Sequence, residues 1–269
     1  MKSFYKKELY EYKLDILYYG ISISQSCFNS LKKGKHNQIN NNDYITTKGL
    51  MIALDSKIYV NADLNKNSYY TADFVNNEYI LKYKDLFICK INIIQPPDFA
   101  LQFSRLNTGR PLIAYVNVHG DRIRVQPIEG CANKCKFCDL NKKKYKLNSL
   151  EDLNEAFKYA MNNVGFRHVL ISGGTPKKSQ EDYQYLNNVY KFFGKKYGKK
   201  YPIDIMLVPR GLNVDDNTIE GYETFLRKLK EWNISGLSIN LELYNDDYRK
   251  KYIPQKDLVE NKIILNLSS

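Results

Sequence analysis

Cysteine, tryptophan, histidine and arginine are all scarce in this chain of 269 residues. It has five Cys, one Trp and three His, and only eight of its 41 basic residues are Arg. Five cysteines, three of them crowded into eight positions, do not make the disulfide framework of a small secreted domain and fit a reducing, cytoplasmic setting. No run of apolar residues approaches the ~20 that a membrane span needs, so a membrane role is excluded. The opening stretch MKSFYKKELYEYKLDILYYGISIS carries Lys, Glu and Asp up to a short apolar run and has no small-residue cleavage site, which argues against a signal peptide. The paucity of Arg also weakens the nucleic-acid reading that a net charge of +12 suggests. Runs such as Lys142-Lys143-Lys144 and Lys195-Lys196 read as solvated faces, and the abundance of Lys, Asn, Ile and Tyr is what A/T-rich codon usage produces. A tRNA or acidic peptide substrate stays open.

What is present is enough for a sizeable core: 43% of residues are apolar and 26% charged, as in a globular protein of one large domain or two modest ones. The first part of the chain is rich in Tyr and Asn. Its apolar runs GLMIALDSKIYVNA and YILKYKDLFICKINII have the β-branched, aromatic, partly alternating character of strands. The segments NKNSYYTADFVNNEY and QPPDF read as turns between them. Residues 1–118 are accordingly expected to form a smaller, strand-rich accessory region. Cys27 and Cys89 lie in it without partners and read as small apolar fillers.

The segment PLIAYVNVHGDRIRVQP then predicts a hairpin turning near His119-Gly120-Asp121. From about residue 123 the rhythm becomes strand, loop, helix, repeated about four times. SLEDLNEAFKYAMNNVG predicts a helix with Ser149 as N-cap, Asp152 three positions on, an apolar face of Leu150, Leu153, Phe157, Met161 and Val164, and Gly165 as its stop. HVLISGG, PIDIMLVPR and GLSINLELY predict strands, separated by helices over EDYQYLNNVYKFFGKKYG and GYETFLRKLKEWN. Such alternation predicts an α/β fold with a parallel sheet, either a barrel or an open doubly wound sheet, with ligands at the strand C-terminal ends. Residues 119–269 are assigned to it.

The stretch EGCANKCKFCDL places Cys131, Cys135 and Cys138 on one loop after the first strand of this series. A structural zinc site usually closes with four Cys or His ligands, and no His lies in or just after the loop, although zinc could recruit a remote fourth ligand. An iron-sulfur cube held by three thiolates leaves its fourth iron open to something other than protein. His119 and His168 flank the loop at a distance and read as structural or solvated.

Cys131-x3-Cys135-x2-Cys138, with aromatic Phe137 before the third cysteine, resembles the signature of radical S-adenosylmethionine (radical SAM) enzymes. The resemblance implies a partial (β/α) barrel holding a [4Fe-4S] cluster on the three cysteines, its open iron chelated by the amino and carboxylate groups of S-adenosylmethionine. It further implies reductive cleavage of that cofactor to methionine and a 5'-deoxyadenosyl radical, which takes hydrogen from a substrate. An external electron donor such as flavodoxin or ferredoxin is implied as a partner. Phe137 and ISGGTP, with Gly173 and Gly174 giving the backbone close approach to the cofactor amino group, match the family's cofactor-binding pattern. Thr175 departs from the common acidic third residue of that motif. Ser238, Asn240 and Glu242 share one face of the fourth strand at period two, and the last two resemble the ribose-holding pair of biotin-synthase-like members. The other reading of that face is a solvated edge strand. Arg210 is a candidate partner of the cofactor carboxylate or, equally, a surface loop residue. No side chain is assigned a catalytic role.

The resemblance covers about residues 123–254. Six β/α units would need on the order of 200 residues from the cysteine loop onward, at 30 or more each, whereas 131 follow Cys138. Two units are therefore expected to be missing, as in a C-terminally truncated product or a partial barrel closed by another chain. Two other readings stay open, a non-enzymatic zinc or iron-sulfur module touching RNA through its basic surface, and an inactive truncated relative. The substrate, whether small molecule, peptide or RNA, is not legible.

Overall fold

The computed structural model describes residues 7–33, 49–94, 105–119, 121–206, 218–239, 243 and 245–254. The chain divides into two units, Met1–Pro97 and Asp98–Ser269, each with its own buried core.

The first unit begins with helix α1 (Leu9–Tyr19), strand β1 (Ser22–Ile23) and helix α2 (Gln25–Lys33). Five longer strands follow: β2 (Gly49–Leu54), β3 (Ile58–Asp63), β4 (Tyr70–Val75), β5 (Glu78–Tyr83) and β6 (Leu86–Ile93). They form a six-stranded sheet in the order β1-β4-β5-β6-β2-β3, antiparallel except where β1 runs parallel to β4. The segment expected as a turn around NKNSYYTADFVNNEY contains β4. Tyr70 and Ala72 alternate inward along it, and only Asn76-Asn77, both at positive φ, make the two-residue turn to β5. Asn content marked the punctuation and hid the strand beside it.

The two helices were not anticipated. In α1 the buried Tyr12 and Ile16 share the helix with Tyr10, Leu14 and Tyr18, which face outward, so apolar residues on both sides blur the 3.6-residue period. Cys27 and Cys89 are fillers of this core, and burial pushes each thiol up to about 12. Asp73 on β4 accepts from Ser24 Oγ (2.5 Å), Ser26 Oγ (2.6 Å) and Lys82 Nζ (2.5 Å), which ties the start of α2 to the sheet.

In the second unit, β7 (Val116–His119) and β8 (Arg122–Val125) form the expected hairpin. Then come β9 (Ile128–Glu129), β10 (Lys146–Leu147), α3 (Leu150–Asn163), β11 (His168–Ser172), α4 (Gln180–Tyr197), β12 (Ile203–Met206), α5 (Ile219–Glu231), β13 (Gly236–Ser238) and α6 (Asp246–Tyr252). The five-stranded sheet has the order β13-β12-β11-β8-β7. Strands β8, β11, β12 and β13 pair in parallel, and β7 is antiparallel to β8. The sheet curls as a half-barrel.

Alternation along the strands sorts the residues by face. Ile123, Val125, Val169, Ile171, Ile203 and Ile205 share one core with Phe157, Phe193 and Phe225 of α3, α4 and α5. The alternate positions, Arg122 and Arg124, His168, Asp204 and Ser238, fall on the other face. With the crossover helices gathered on one face, the doubly wound alternative, which needs helices on both, does not describe this sheet.

The helices start where side-chain oxygens meet free amides. Ser149, Ser179 and Thr218 accept from the amides of Asp152, Asp182 and Gly221 at the starts of α3, α4 and α5. Gly165 does not stop α3. The helix ends at Asn163, and extended Val164 closes it by donating its N–H to the Ala160 carbonyl. Among the described residues no helix is long and apolar enough to cross a membrane.

Candidate metal and cofactor centre

A two-residue ribbon closes the base of the cysteine loop. Ile128 pairs with Leu147 and Glu129 with Lys146, so residues 130–145 leave and return at one place beyond the end of β8. Gly130 starts the loop at φ +71°, a conformation that glycine adopts without strain, and a Cβ there would lie 2.8 Å from the Lys143 carbonyl oxygen. Below the ribbon, the fully buried Asn148 side chain donates to the carbonyls of Gln126 (2.9 Å) and Ala114 (3.3 Å) and accepts from Arg110 Nη1 (3.0 Å). Arg110 also pairs with Glu129 at 2.5 Å. This polar node sets the base of the loop without using any of its cysteines.

The loop meets the turn that follows β11. The Thr175 amide donates to Cys131 Sγ at 3.1 Å, the Ala132 amide donates to the Thr175 carbonyl at 3.0 Å, and Asn133 Nδ2 donates to Thr175 Oγ1 at 3.1 Å. The Asn133 amide lies 3.4 Å from the same sulfur and donates to it. Asn133 and Thr175 are both buried. Gly174 makes the contact possible: a Cβ on it would sit 1.7 Å from the Gly130 carbonyl oxygen, and one on Gly173 would sit 3.0 Å from that of Ile128. The missing side chains of Gly173 and Gly174 are thus used against the backbone that leads into Cys131.

The three thiols occupy different surroundings. Cys135 is buried, while Cys131 and Cys138 are half-buried. Asn141 Nδ2 donates to the Cys135 carbonyl at 3.0 Å, and the Lys136 amide donates to the carbonyl of Tyr252, at the end of α6, at 2.9 Å. Among the described residues no group of three His, Cys, Asp or Glu side chains is gathered in a way that could hold a metal ion. The donor set nonetheless suits an iron-sulfur cluster by its chemistry. It offers three thiols on one loop, the first already receiving backbone N–H groups at sulfur, the kind of bond that tunes cluster thiolates.

Of the remaining sequence-predicted residues, Phe137 is 60% exposed at the tip of the loop. Ser238 ends β13 in register with Met206, on the face away from the helix core and two strands from β11. Arg210, Asn240 and Glu242 lie outside the described residues. His168 starts β11, the end of the strand remote from the glycine turn, and pairs in register with Arg122.

Asn133, which donates to Thr175, and Tyr145 and Asp182, which bond to each other and to the Lys177 amide, also join the two loops, and none is among the residues the sequence motifs single out. Only Asp182 left a signal, the Ser-x-x-Asp capping pattern with Ser179. Tyr145 is one of 23 tyrosines and nothing local distinguishes it.

A family model described as the Radical SAM superfamily matches residues 125–262, just over half of the chain, and the chain belongs to that superfamily. The match opens at the last residue of β8 and takes in the cysteine loop, the glycine turn and α6. No curated protein matches the sequence.

Proposed function

We propose that this chain is a radical SAM enzyme in which Cys131, Cys135 and Cys138 hold a [4Fe-4S] cluster, with S-adenosylmethionine beside the Gly173-Gly174-Thr175 turn. When bound, the cluster would supply the electron for reductive cleavage of S-adenosylmethionine, and the cofactor a 5'-deoxyadenosyl group for hydrogen abstraction from the substrate. Superfamily membership and one juxtaposition support the reading: the first cysteine of the motif receives the amide of Thr175, at the C-terminal end of the next parallel strand. That end of a parallel α/β sheet is where ligands gather.

The chain's own contributions are positional. Gly174 brings the glycine turn onto the cysteine loop, and Thr175 holds the loop at three atoms. Ser238, with Asn240 and Glu242 beyond it, is proposed to hold the cofactor ribose in the manner of biotin-synthase-like members, and Arg210 to pair with its carboxylate. Polar residues on the face away from the helices, among them Arg124 and Asp204, suit a polar substrate. The reductant is proposed to be a separate carrier such as flavodoxin or ferredoxin.

Anaerobic reconstitution tests this reading. A brown protein with close to four irons and four sulfides per chain, releasing 5'-deoxyadenosine under reductant, is the expected result. Colourless, stoichiometric zinc would instead identify a zinc module, and a loaded cluster that releases no 5'-deoxyadenosine would identify an inactive relative.

A further inference from the structure

One buried carboxylate near the centre is used by neither the three cysteines nor the proposed cofactor residues. Asp182, in the first turn of α4, is 5% exposed. The helix is capped by the Asp182 amide donating to Ser179 Oγ at 3.2 Å, and Asp182 Oδ1 accepts from that hydroxyl in turn at 3.1 Å. Capping needs no more than that. Yet Oδ2 also accepts from the Lys177 amide at 2.8 Å and from the Tyr145 hydroxyl. The same hydroxyl accepts from the Lys177 amide at 3.2 Å, and Lys177 Nζ lies 4.8 Å from the centre of the Tyr145 ring.

These donors come from two different loops. Tyr145 is at the exit of the cysteine loop, and Lys177 is at the exit of the glycine turn. Two residues before Lys177, Thr175 contacts the entrance of the cysteine loop at Cys131, Ala132 and Asn133. The cysteine loop is therefore fastened to the glycine turn at both its entrance and its exit, once through Thr175 and once through Asp182.

We propose that Asp182 and Tyr145 form a latch that positions the cysteine loop against the glycine turn before the cluster binds. Hydrogen bonds to a charged acceptor are roughly twice as strong as neutral ones, and opening either loop would leave a buried carboxylate short of donors. Burial and the Asp182 carboxylate both hold the Tyr145 hydroxyl above its ordinary pKa, which keeps it a donor. A loop held in place beforehand has less freedom to lose when a ligand arrives. The role toward the cluster rests on the proposed function, whereas the latch itself belongs to the metal-free chain.

The test compares Tyr145→Phe and Asp182→Asn in the full chain, with Tyr190→Phe as a control that removes a buried hydroxyl from the helix core of the same unit. In the metal-free protein, amide hydrogen exchange at Thr175 and Lys177 should rise about tenfold or more in the two latch variants and stay unchanged in the control. After anaerobic reconstitution, a chelator should strip iron from the latch variants about 10–100-fold faster than from wild type, in step with the loss of metal affinity that follows removal of an outer-shell partner. Wild-type exchange and iron-loss rates in folded Tyr145→Phe would overturn the proposal, as would an equal rise in the control. If Asp182→Asn does not fold, Tyr145→Phe decides alone. A wild-type chain that takes up no iron would refute the cluster reading instead, and amide exchange would then show whether the latch exists without it.

Discussion

The backbone amide of Thr175 points at the sulfur of Cys131 across 3.1 Å, although 44 residues separate them in sequence. The contact exists because β8 and β11 are parallel neighbours, so the loops leaving their C-terminal ends emerge side by side. A helix-length crossover is required between parallel strands, and α3 supplies it. The topology thus brings a cysteine and a glycine turn together without any local sequence signal linking them.

Replacing Cys135 with Ala is expected to abolish cluster assembly while leaving the secondary structure of the second unit in place. Cys135 is buried, and the hydrogen bond that its carbonyl accepts from Asn141 survives the substitution. Iron and sulfide analysis after reconstitution, alongside circular dichroism, checks this; an undiminished iron content would remove Cys135 from the ligand set.

Gly174→Ala should be among the most damaging single changes in the second unit. A methyl group 1.7 Å from the Gly130 carbonyl oxygen and 2.8 Å from the Cys131 Cα meets backbone that has no side-chain freedom to yield. A destabilisation of about 1–3 kcal/mol, the usual scale of overpacking, should appear in denaturant unfolding together with lost iron binding. Gly165→Ala has open space at the same point and should do neither.

Asn148→Ala tests the node beneath the loop. It removes two donated hydrogen bonds and one accepted from Arg110, all at a fully buried side chain. A loss of roughly 2–4 kcal/mol is expected from about 1 kcal/mol per bond plus the cost of unpaired carbonyls. Denaturant unfolding measures it, and a loss below about 1 kcal/mol would mean that water replaces the side chain.

The first unit should show an acid-dependent stability carried by Asp73. Lys82, Ser24 and Ser26 hold its carboxyl below the ordinary value of 3.8. A depressed carboxylate stabilises the fold fully above the unfolded-state value and loses that contribution as pH falls from there through the lower folded-state value. Asp73→Asn should therefore reduce stability at pH 7 and flatten its decline below about pH 4. Urea titrations of wild type and variant between pH 2 and pH 7 provide the comparison.

Much of the second unit was legible because its cues are local. The Ser149 cap, the helix that follows it and the alternating strands depend on periods of 3.6 and 2 within a dozen residues. In the first unit the same cues misled. Asn-rich flanks concealed β4, and outward-facing Tyr10, Leu14 and Tyr18 masked the amphipathic pattern of α1. The brief β9–β10 ribbon offered no periodicity, since two residues per strand are too few to alternate.

The order of residues along the chain determined by itself the three-thiol loop, the glycine turn and the β/α rhythm between them, because each is written in neighbouring residues. Which face of the sheet would carry the helices, and that the missing side chain of Gly174 makes room for Gly130, were decided only by tertiary packing. So was the convergence of Tyr145 and Lys177 on Asp182. Those relationships join segments tens of residues apart, and their energies come from burial and from hydrogen bonds that exist only once the strands have paired.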